Sequence, residues 1–588
     1  MVEPLPCSAL RWSCDPASLK FETTADVEPI AGVIGQASAV DALEFGLECH
    51  APGQNVFVRG LSGTGRMTLV ERLLEQLQPK CAAKYDRCYV HNFKEQDRPR
   101  LITLPAGRAR AFRRRVQELG EFVRDELGTV LSADPLKSHR ESLEKRVNAE
   151  IAALTEPFER ERKEASRALV PLQVGPVVHM QIFPVVTGKA VPPEEFEQLV
   201  EQGQVTDLQR SFYEERSESF HKRLAELTGV IREVRRRYHR AVHAVVEETA
   251  RAVLGEVARD ILTEFPGEDV QTFLSQVVDD VAERRLSGQA EDDPLRTYGV
   301  NVLIEHEDGD ACPVVVENIP TLSNLLGTID REWGPKGASR SDYSMIRAGS
   351  LLQADGGYLI MEARDVITEP GAWRVLLRTL KHRLLEIVPA EMSWPVMPPS
   401  MKPEPIPVNV KVILLGDTNL YYMLDAYEPD FASLFKVLAD FHPEITRGPE
   451  GVAQYAGVLA RIAKEEGLLP FHRTAVAALA EHGARVAARR DKLTARFSRV
   501  ADLALEAAFL ATRAKAPHVR GQDVEEAVRR TKARAELPSV RFREFLADGT
   551  IKVQVKGDVV GQINGLAVIH AGPLPYGFPA RITASVGA

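Results

Sequence analysis

Apolar residues recur along this chain in two rhythms, and the rhythm changes twice. Near the start, Val40, Leu43 and Leu47 stand three and four apart, which gives one buried stripe on a helix opening within residues 33–47. A short β-rich run at 55–59 follows, then a glycine-rich turn, then a second amphipathic helix through Leu69, Leu73 and Leu77. Residues 87–93 read as another strand. From about Gly107 to Ala290 the period becomes helical and charged residues dominate. Leu224, Leu227, Ile231, Val234, Tyr238, Val242 and Val245 keep steps of three and four, an apolar seam along one side of a long helix. Leu143, Val147, Ile151, Leu154 and Phe158 do the same on an earlier helix. Between them lies a β-like interruption at 177–186 and a Pro-Pro-Glu-Glu helix start at Pro192. The two seams predict an antiparallel helical arm inserted into another domain; an ordinary helical bundle is the plain alternative.

At Val300 the α/β pattern resumes. Residues 300–304, 314–316, 357–361 and 408–415 read as strands, and the last two are near-continuous apolar runs, as central strands covered on both faces require. Residues 451–535 are Ala/Arg/Glu-rich and helical, and residues 551–588 are β-rich. The expected divisions are a leader over 1–30, the first part of an α/β domain over 31–106 and a helical insertion over 107–290. The second part of the α/β domain follows over 291–447, then a helical lid over 448–540 and a further piece over 541–588.

Composition narrows the class. At 588 residues, 44% hydrophobic and 27% charged, the chain is too long for one core and too apolar to be disordered. No apolar run reaches membrane-helix length and no secretory signal is visible. The six cysteines show no CxxC spacing, so the expectation is unpaired thiols in a reducing cytoplasm. A net charge of −9 argues against a generally nucleic-acid-coated surface.

The sharpest motif is Gly60-Leu-Ser-Gly-Thr-Gly-Arg-Met-Thr68, placed between a predicted strand and a predicted helix as a phosphate-binding loop requires. Its glycines let backbone N–H groups surround a phosphate at a helix N-terminus. Against GxxxxGK[ST], Arg66 replaces Lys and Met67 replaces Ser or Thr. Arg keeps the charge as a planar fork, and Met67 offers Mg²⁺ no oxygen, which leaves Thr68 as the nearest hydroxyl. The nucleotide set read from the loop is Gly60, Gly63, Thr64, Gly65, Arg66, Met67 and Thr68. At a second strand end, Glu362 takes the metal-associated place, Ala363 stands where a water-orienting Glu is expected, and Asp365 is nearby. Asn419, with Asp417 next, is the candidate to hydrogen-bond a γ-phosphate or its water; a turn-forming Asp/Asn pair is the plain alternative. Lys436 is a candidate to reach a neighbouring subunit's phosphates, and Arg499 or Arg496 to reach the nucleotide from the lid. Tyr343, with Trp333 and Gly334 before it, is a candidate loop aromatic for gripping an extended chain; ordinary loop packing is the plain alternative. The runs 113–115 and 235–237 are all arginine; set in acid-rich helices, they read first as a solvated face and otherwise as weak DNA binding.

Together these stretches resemble the Lon-like proteases of the LonB-related branch. The resemblance rests on Ile34-Gly-Gln36, the altered phosphate loop, Cys88-Tyr-Val-His-Asn-Phe93, Leu104-Pro-Ala-Gly107, residues 320–326 and 346–360, Asp430-Phe-Ala-Ser-Leu-Phe-Lys436, and Gly561-Gln-Ile-Asn-Gly-Leu-Ala-Val568. It implies an AAA+ P-loop ATPase of α/β class with a long substrate-handling helical insertion, a C-terminal helical lid and the start of an α+β Lon-type peptidase domain. It also implies ATP and Mg²⁺ as cofactors, a homo-oligomeric, usually hexameric ring, and degradation of unfolded or damaged proteins by a serine endopeptidase. The family's Ser–Lys dyad is expected beyond residue 588, so no catalytic residue is assigned here, Ser585 included. Arg66, Met67 and Ala363 depart from the common pattern and predict at most weak hydrolysis. The rival readings are a nucleotide-responsive chaperone or scaffold without proteolysis, and a DNA-remodelling ring.

Overall fold

The computed structural model describes residues 11–587 apart from 31, 80, 135, 175–176, 187, 291, 308–310, 334–338, 388–400 and 572–573. Helix α1 (Ala37–Glu48) leads into strand β1 (Val56–Arg59), the glycine-rich loop and helix α2 (Arg66–Leu77). Strands β2 (Tyr85–Val90) and β3 (Arg100–Pro105) follow, then α3 (Ala109–Glu121). Two long helices, α4 (Leu136–Glu164) and α5 (Asp207–Glu264), flank strands β4 (Arg167–Val174) and β5 (Val177–Val186). Helix α6 (Glu268–Asp280) then returns the chain to β6 (Val300–Ile304), β7 (Val314–Glu317), β8 (Tyr358–Glu362), α7 (Ala363–Thr368) and β9 (Lys411–Gly416). Helix α8 (Thr418–Tyr427) and strand β10 (Val437–Asp440) complete the α/β part. Helices α9 (Pro449–Glu465), α10 (Arg473–Ala487), α11 (Phe497–Arg513) and α12 (Gly521–Ala535) make the lid, and strands β11 (Gln562–Ala571) and β12 (Leu574–Thr583) form a terminal hairpin.

Five strands run parallel in the order β10-β1-β9-β8-β7. The period-two alternation of a strand divides their side chains between two apolar layers. Phe57, Leu359, Met361, Val412 and Leu414 face one layer, with Trp373, Leu376 and Phe431. Val56, Val58, Tyr358, Ile360, Ile413 and Leu415 face the other, against Leu43 and Leu47 of α1 and Leu69, Val70 and Leu73 of α2. Covering on both sides explains why these strands read as unbroken apolar runs. A second, antiparallel sheet, β3-β2-β6, packs with α3, α6 and the end of α5 through Ile102, Phe112, Leu254, Ile261 and Phe273.

From that base α4 and α5 project side by side. Their antiparallel sense is fixed by two cross-helix ion pairs, Glu150–Arg237 and Glu161–Arg223. The predicted seams meet between them. Val234 is 4% and Phe158 6% exposed, while Leu143, Val147, Ile151 and Leu154 stay half-buried, as two helices without a third partner must leave them. At the far end Phe158, Ile182 and Phe220 form a small separate core under the β4–β5 hairpin.

Two sequence expectations fail. The thiols are not all unpaired, because Cys81 and Cys312 form a disulfide between residues 231 apart, a pairing that no local spacing signals. Tyr343 is not a loop tip. It is 4% exposed, packed into the larger sheet core, and its hydroxyl donates to the Arg296 carbonyl at 2.6 Å. Its companion Trp333 ends a two-residue strand, and Gly334, like Cys7, lies outside the described residues. Ala363, which stands where a water-orienting Glu is expected, is fully buried in the same core at the start of α7.

Among the described residues no helix is long and apolar enough to cross a membrane.

Candidate functional site

The carboxyl ends of β1, β8 and β9 converge on one crevice, the place where open parallel sheets bind ligands. From β1 the chain turns through Gly60 into the loop, and Gly60 N donates to the Gly416 carbonyl at the end of β9 (3.0 Å). Gly63 and Gly65 take φ of +84° and +80°, the left-handed region that frees successive amides to face one point. Thr64 is buried, and its hydroxyl is spent on the Leu61 carbonyl (2.8 Å). α2 starts at Arg66, so the loop empties onto the N-terminus of a 12-residue helix.

Arg66 lies across the crevice. Its guanidinium donates to the Gly416 carbonyl at 2.7 Å and stands 3.5 Å from the Glu362 carboxylate, with the Arg66 side chain only 10% exposed. Glu362 ends β8 with its side chain 47% exposed. Burial raises its pKa above the ordinary carboxylate value, Arg66 pulls it down and Asp365 adds to the rise. Met67 turns away into the apolar layer under the sheet, and Thr68 is exposed on the first turn of α2. Among the described residues no group of three or more His, Cys, Asp or Glu side chains is arranged to hold a metal ion. A Mg²⁺ would therefore depend on Glu362 together with water and phosphate oxygens, which is how this cation is commonly held.

The remaining candidates divide. Asp417 is a helix cap: it accepts from Leu420 N at 2.9 Å and pairs with Arg364 at 2.8 Å, the turn-forming alternative for that residue. Asn419 is exposed on the first turn of α8, three residues past the Gly416 that Arg66 touches. Lys436 is not brought to the loop. It precedes β10, the neighbour of β1, at the amino end of the strands away from the loop, exposed, and donates to the Pro52 carbonyl at 3.1 Å.

The lid meets the loop through a residue the sequence did not single out. Ser498, on the first turn of α11, sits so close to Gly63 that a Cβ there would lie 1.8 Å from its Oγ. Its neighbours Arg496 and Arg499 carry positive charge to the same end of α11. Arg496 is the less exposed of the two; burial, then the charge of Arg499, lowers its pKa, and its Nε is buried without a hydrogen-bond partner. An orphaned guanidinium N–H in a cationic corner suits an anion. On the other side, the Val33–Gln36 stretch passes between loop and lid. Val33 touches the Cβ position of Gly65, Ile445 that of Gly35, and Gln36 exchanges two hydrogen bonds of 2.8 Å with the backbone of His442.

The arginine runs are engaged with acids. Arg114 and Arg115 pair with Glu118, Arg115 also with Glu264, Arg236 with Glu233 and Arg237 with Glu150.

The lid should be acid-sensitive. Burial first, then the charges of Arg485 and Arg499, holds the His482 imidazole below its ordinary 6.5. A depressed base makes the unfolded chain the better proton binder below that value, so its contribution is present above pH 6.5 and lost as pH falls. Thermal melts between about pH 7 and about pH 5.5 should show a falling Tm. His482→Gln should shrink the fall without abolishing it, since burial also holds His91 and His472 low.

Comparisons with known proteins agree with this geometry. The family models that match are a LonB-like AAA domain over residues 310–442, an archaeal LonB AAA+ ATPase LID domain over 470–534, and a Lon-like LonC helical domain over 86–119. A putative Lon protease homolog of Escherichia coli is 24% identical over 246 residues, 41% of this chain and 40% of that protein. An archaeal Lon protease of Thermoplasma volcanium is 22% identical over 285 residues, 46% of this chain and 41% of that protein. The matches thus span about two fifths of these curated relatives' length. A solved model of the complex between magnesium chelatase subunits BchI and BchD covers 40% of this chain and 72% of that one, at 15% identity and a TM-score of 0.12. With its loop at the carboxyl edge of the parallel sheet and its helical lid, the chain is similar to LonB-like AAA domains and archaeal LonB lid domains over the residues those models match.

Proposed function

We propose that this chain is the ATP-binding, substrate-handling part of a Lon-like ATP-dependent serine endopeptidase. The observation that supports the reading best is what gathers at one crevice: the loop amides at Gly60–Gly65, the Arg66–Glu362 pair, and the start of the lid helix α11, whose Ser498 packs on Gly63 with Arg496 and Arg499 beside it in the chain. In this reading the amides of Gly63, Thr64, Gly65, Arg66 and Met67 hold the phosphates. Arg66 neutralises charge, Glu362 serves Mg²⁺, Asn419 faces the terminal phosphate or its water, and Arg496 or Arg499 answers from the lid. When bound, Mg²⁺ would supply charge neutralisation on the phosphates. Lys436, at the amino end of the strands away from the loop, would serve the site of a neighbouring subunit in a hexameric ring. The arm would gather unfolded or damaged protein, and the terminal hairpin would open the peptidase domain. Because residue 363 is alanine, the water-orienting carboxylate expected there is missing, and slow hydrolysis follows.

Calorimetry with ATP and ADP, paired with sedimentation velocity, tests the reading. Saturable heat with each nucleotide and assembly into a closed oligomer in ATP are expected. A chain that takes up neither nucleotide and stays monomeric would sink it.

A further inference from the structure

Residues 82–311 leave the five-stranded sheet and return to it as one excursion carrying β2, β3, the arm and β6. The two ends of that excursion meet. Cys81 follows α2, Cys312 precedes the edge strand β7, and their disulfide spans a Cα–Cα distance of 5.2 Å, comfortable for the bond. Non-covalent contacts surround it: Lys84 Nζ donates to the Ala311 carbonyl at 3.1 Å, and Ala82 N donates to the Gly356 carbonyl at 3.2 Å. Gly356 runs into β8, whose other end bears Glu362, while α2 begins at Arg66. The neck is thus tied to both elements that carry the Arg66–Glu362 pair.

Cys81 and Cys312 are each half-buried, so neither sulfur is sealed in a core. Of the other described cysteines, Cys14 and Cys88 are buried, and Cys49, half-buried like the pair, forms no disulfide. Burial pushes the Cys88 thiol up to about 12. Accessible disulfides are the ones that exchange.

We propose that Cys81–Cys312 is a redox modification site, a covalent staple at the neck of the arm-bearing excursion that a thiol reductant opens and glutathione disulfide closes. Opening begins with a reductant thiolate attacking one sulfur, breaking the S–S bond and forming a mixed disulfide. A second reductant thiol releases it. The products are two cysteine thiols and the reductant's disulfide, with two electrons and two protons transferred to the protein. Closing is the reverse, and glutathione disulfide becomes two glutathione thiols. With the staple closed, both ends of the excursion are fixed to the sheet edge. With it open, only hydrogen bonds and packing hold the neck, which becomes a unit of local opening. The proposal stands on neck geometry and does not depend on nucleotide binding.

The test equilibrates the full chain in glutathione buffers from oxidising to reducing, counts alkylated thiols by intact mass after denaturation, and follows hydrogen exchange at residues 79–85 and 311–317. Four of the six cysteines are expected to alkylate in the oxidised form and all six in the reduced form. Exchange at the neck should rise on the order of tenfold on reduction. The Cys81→Ser/Cys312→Ser double variant should exchange like the reduced chain and ignore glutathione, while Cys49→Ser should keep the response. Six alkylated thiols under oxidising conditions, or the same neck exchange in both redox states, overturns the proposal. Should the double variant not fold, the titration of the unaltered chain decides alone.

Discussion

Replacing Arg66 with alanine should weaken ATP binding by about ten- to a hundredfold, or about 1.4–2.8 kcal/mol. The substitution removes the cation that spans the crevice between the Gly416 carbonyl and Glu362. It should leave the fold in place, because the Gly416 carbonyl keeps the Gly60 amide as a donor. Arg66→Lys should recover part of the loss, since an ammonium restores the charge but not the two-pronged reach. Calorimetric titration of both variants checks this, with unchanged thermal melts as the control. Equal affinity in Arg66→Ala and the parent would mean that nucleotide binds elsewhere.

The second large effect concerns Ala363. Read from the sequence, Ala363→Glu supplies a missing water-orienting acid and speeds hydrolysis. Read from the packing, it forces a carboxylate into a fully buried position among Leu359, Val366 and Leu414. An unpaired charge there should cost about 3 kcal/mol or more, and phosphate release should not rise. Denaturant melts and a phosphate-release assay separate the two outcomes. A stable variant with faster turnover would mean that the start of α7 can turn its first residue outward.

These two residues mark where the sequence was legible and where it was not. Strands β1, β8 and β9 could be read because burial on both faces leaves a local trace, an apolar run with no polar alternation. The loop could be read because glycines at Gly63 and Gly65 serve a local backbone need. The seam of α5 could be read from spacing alone, and its partner helix from the same spacing. What failed was proximity. Ser498 lies 435 residues after Gly63, and nothing near either residue announces their contact. Cys81 and Cys312, 231 residues apart, are likewise unannounced by anything local. Tyr343 reads as a loop aromatic, yet its ring fills the core and its hydroxyl finds a carbonyl. Asp417 had the right chemistry for a phosphate contact, but the helix beginning beside it claims its oxygens.

The length of α5 has a mechanical consequence. Its 58 residues extend for about 87 Å, anchored at one end by Leu254 and Ile261 and bearing the β4–β5 hairpin at the other. Such a beam works as a lever. A tilt of about 5° at the anchored end sweeps the tip through about 8 Å, so displacements too small to break packing at the pivot become strides of more than two peptide units at the distal end.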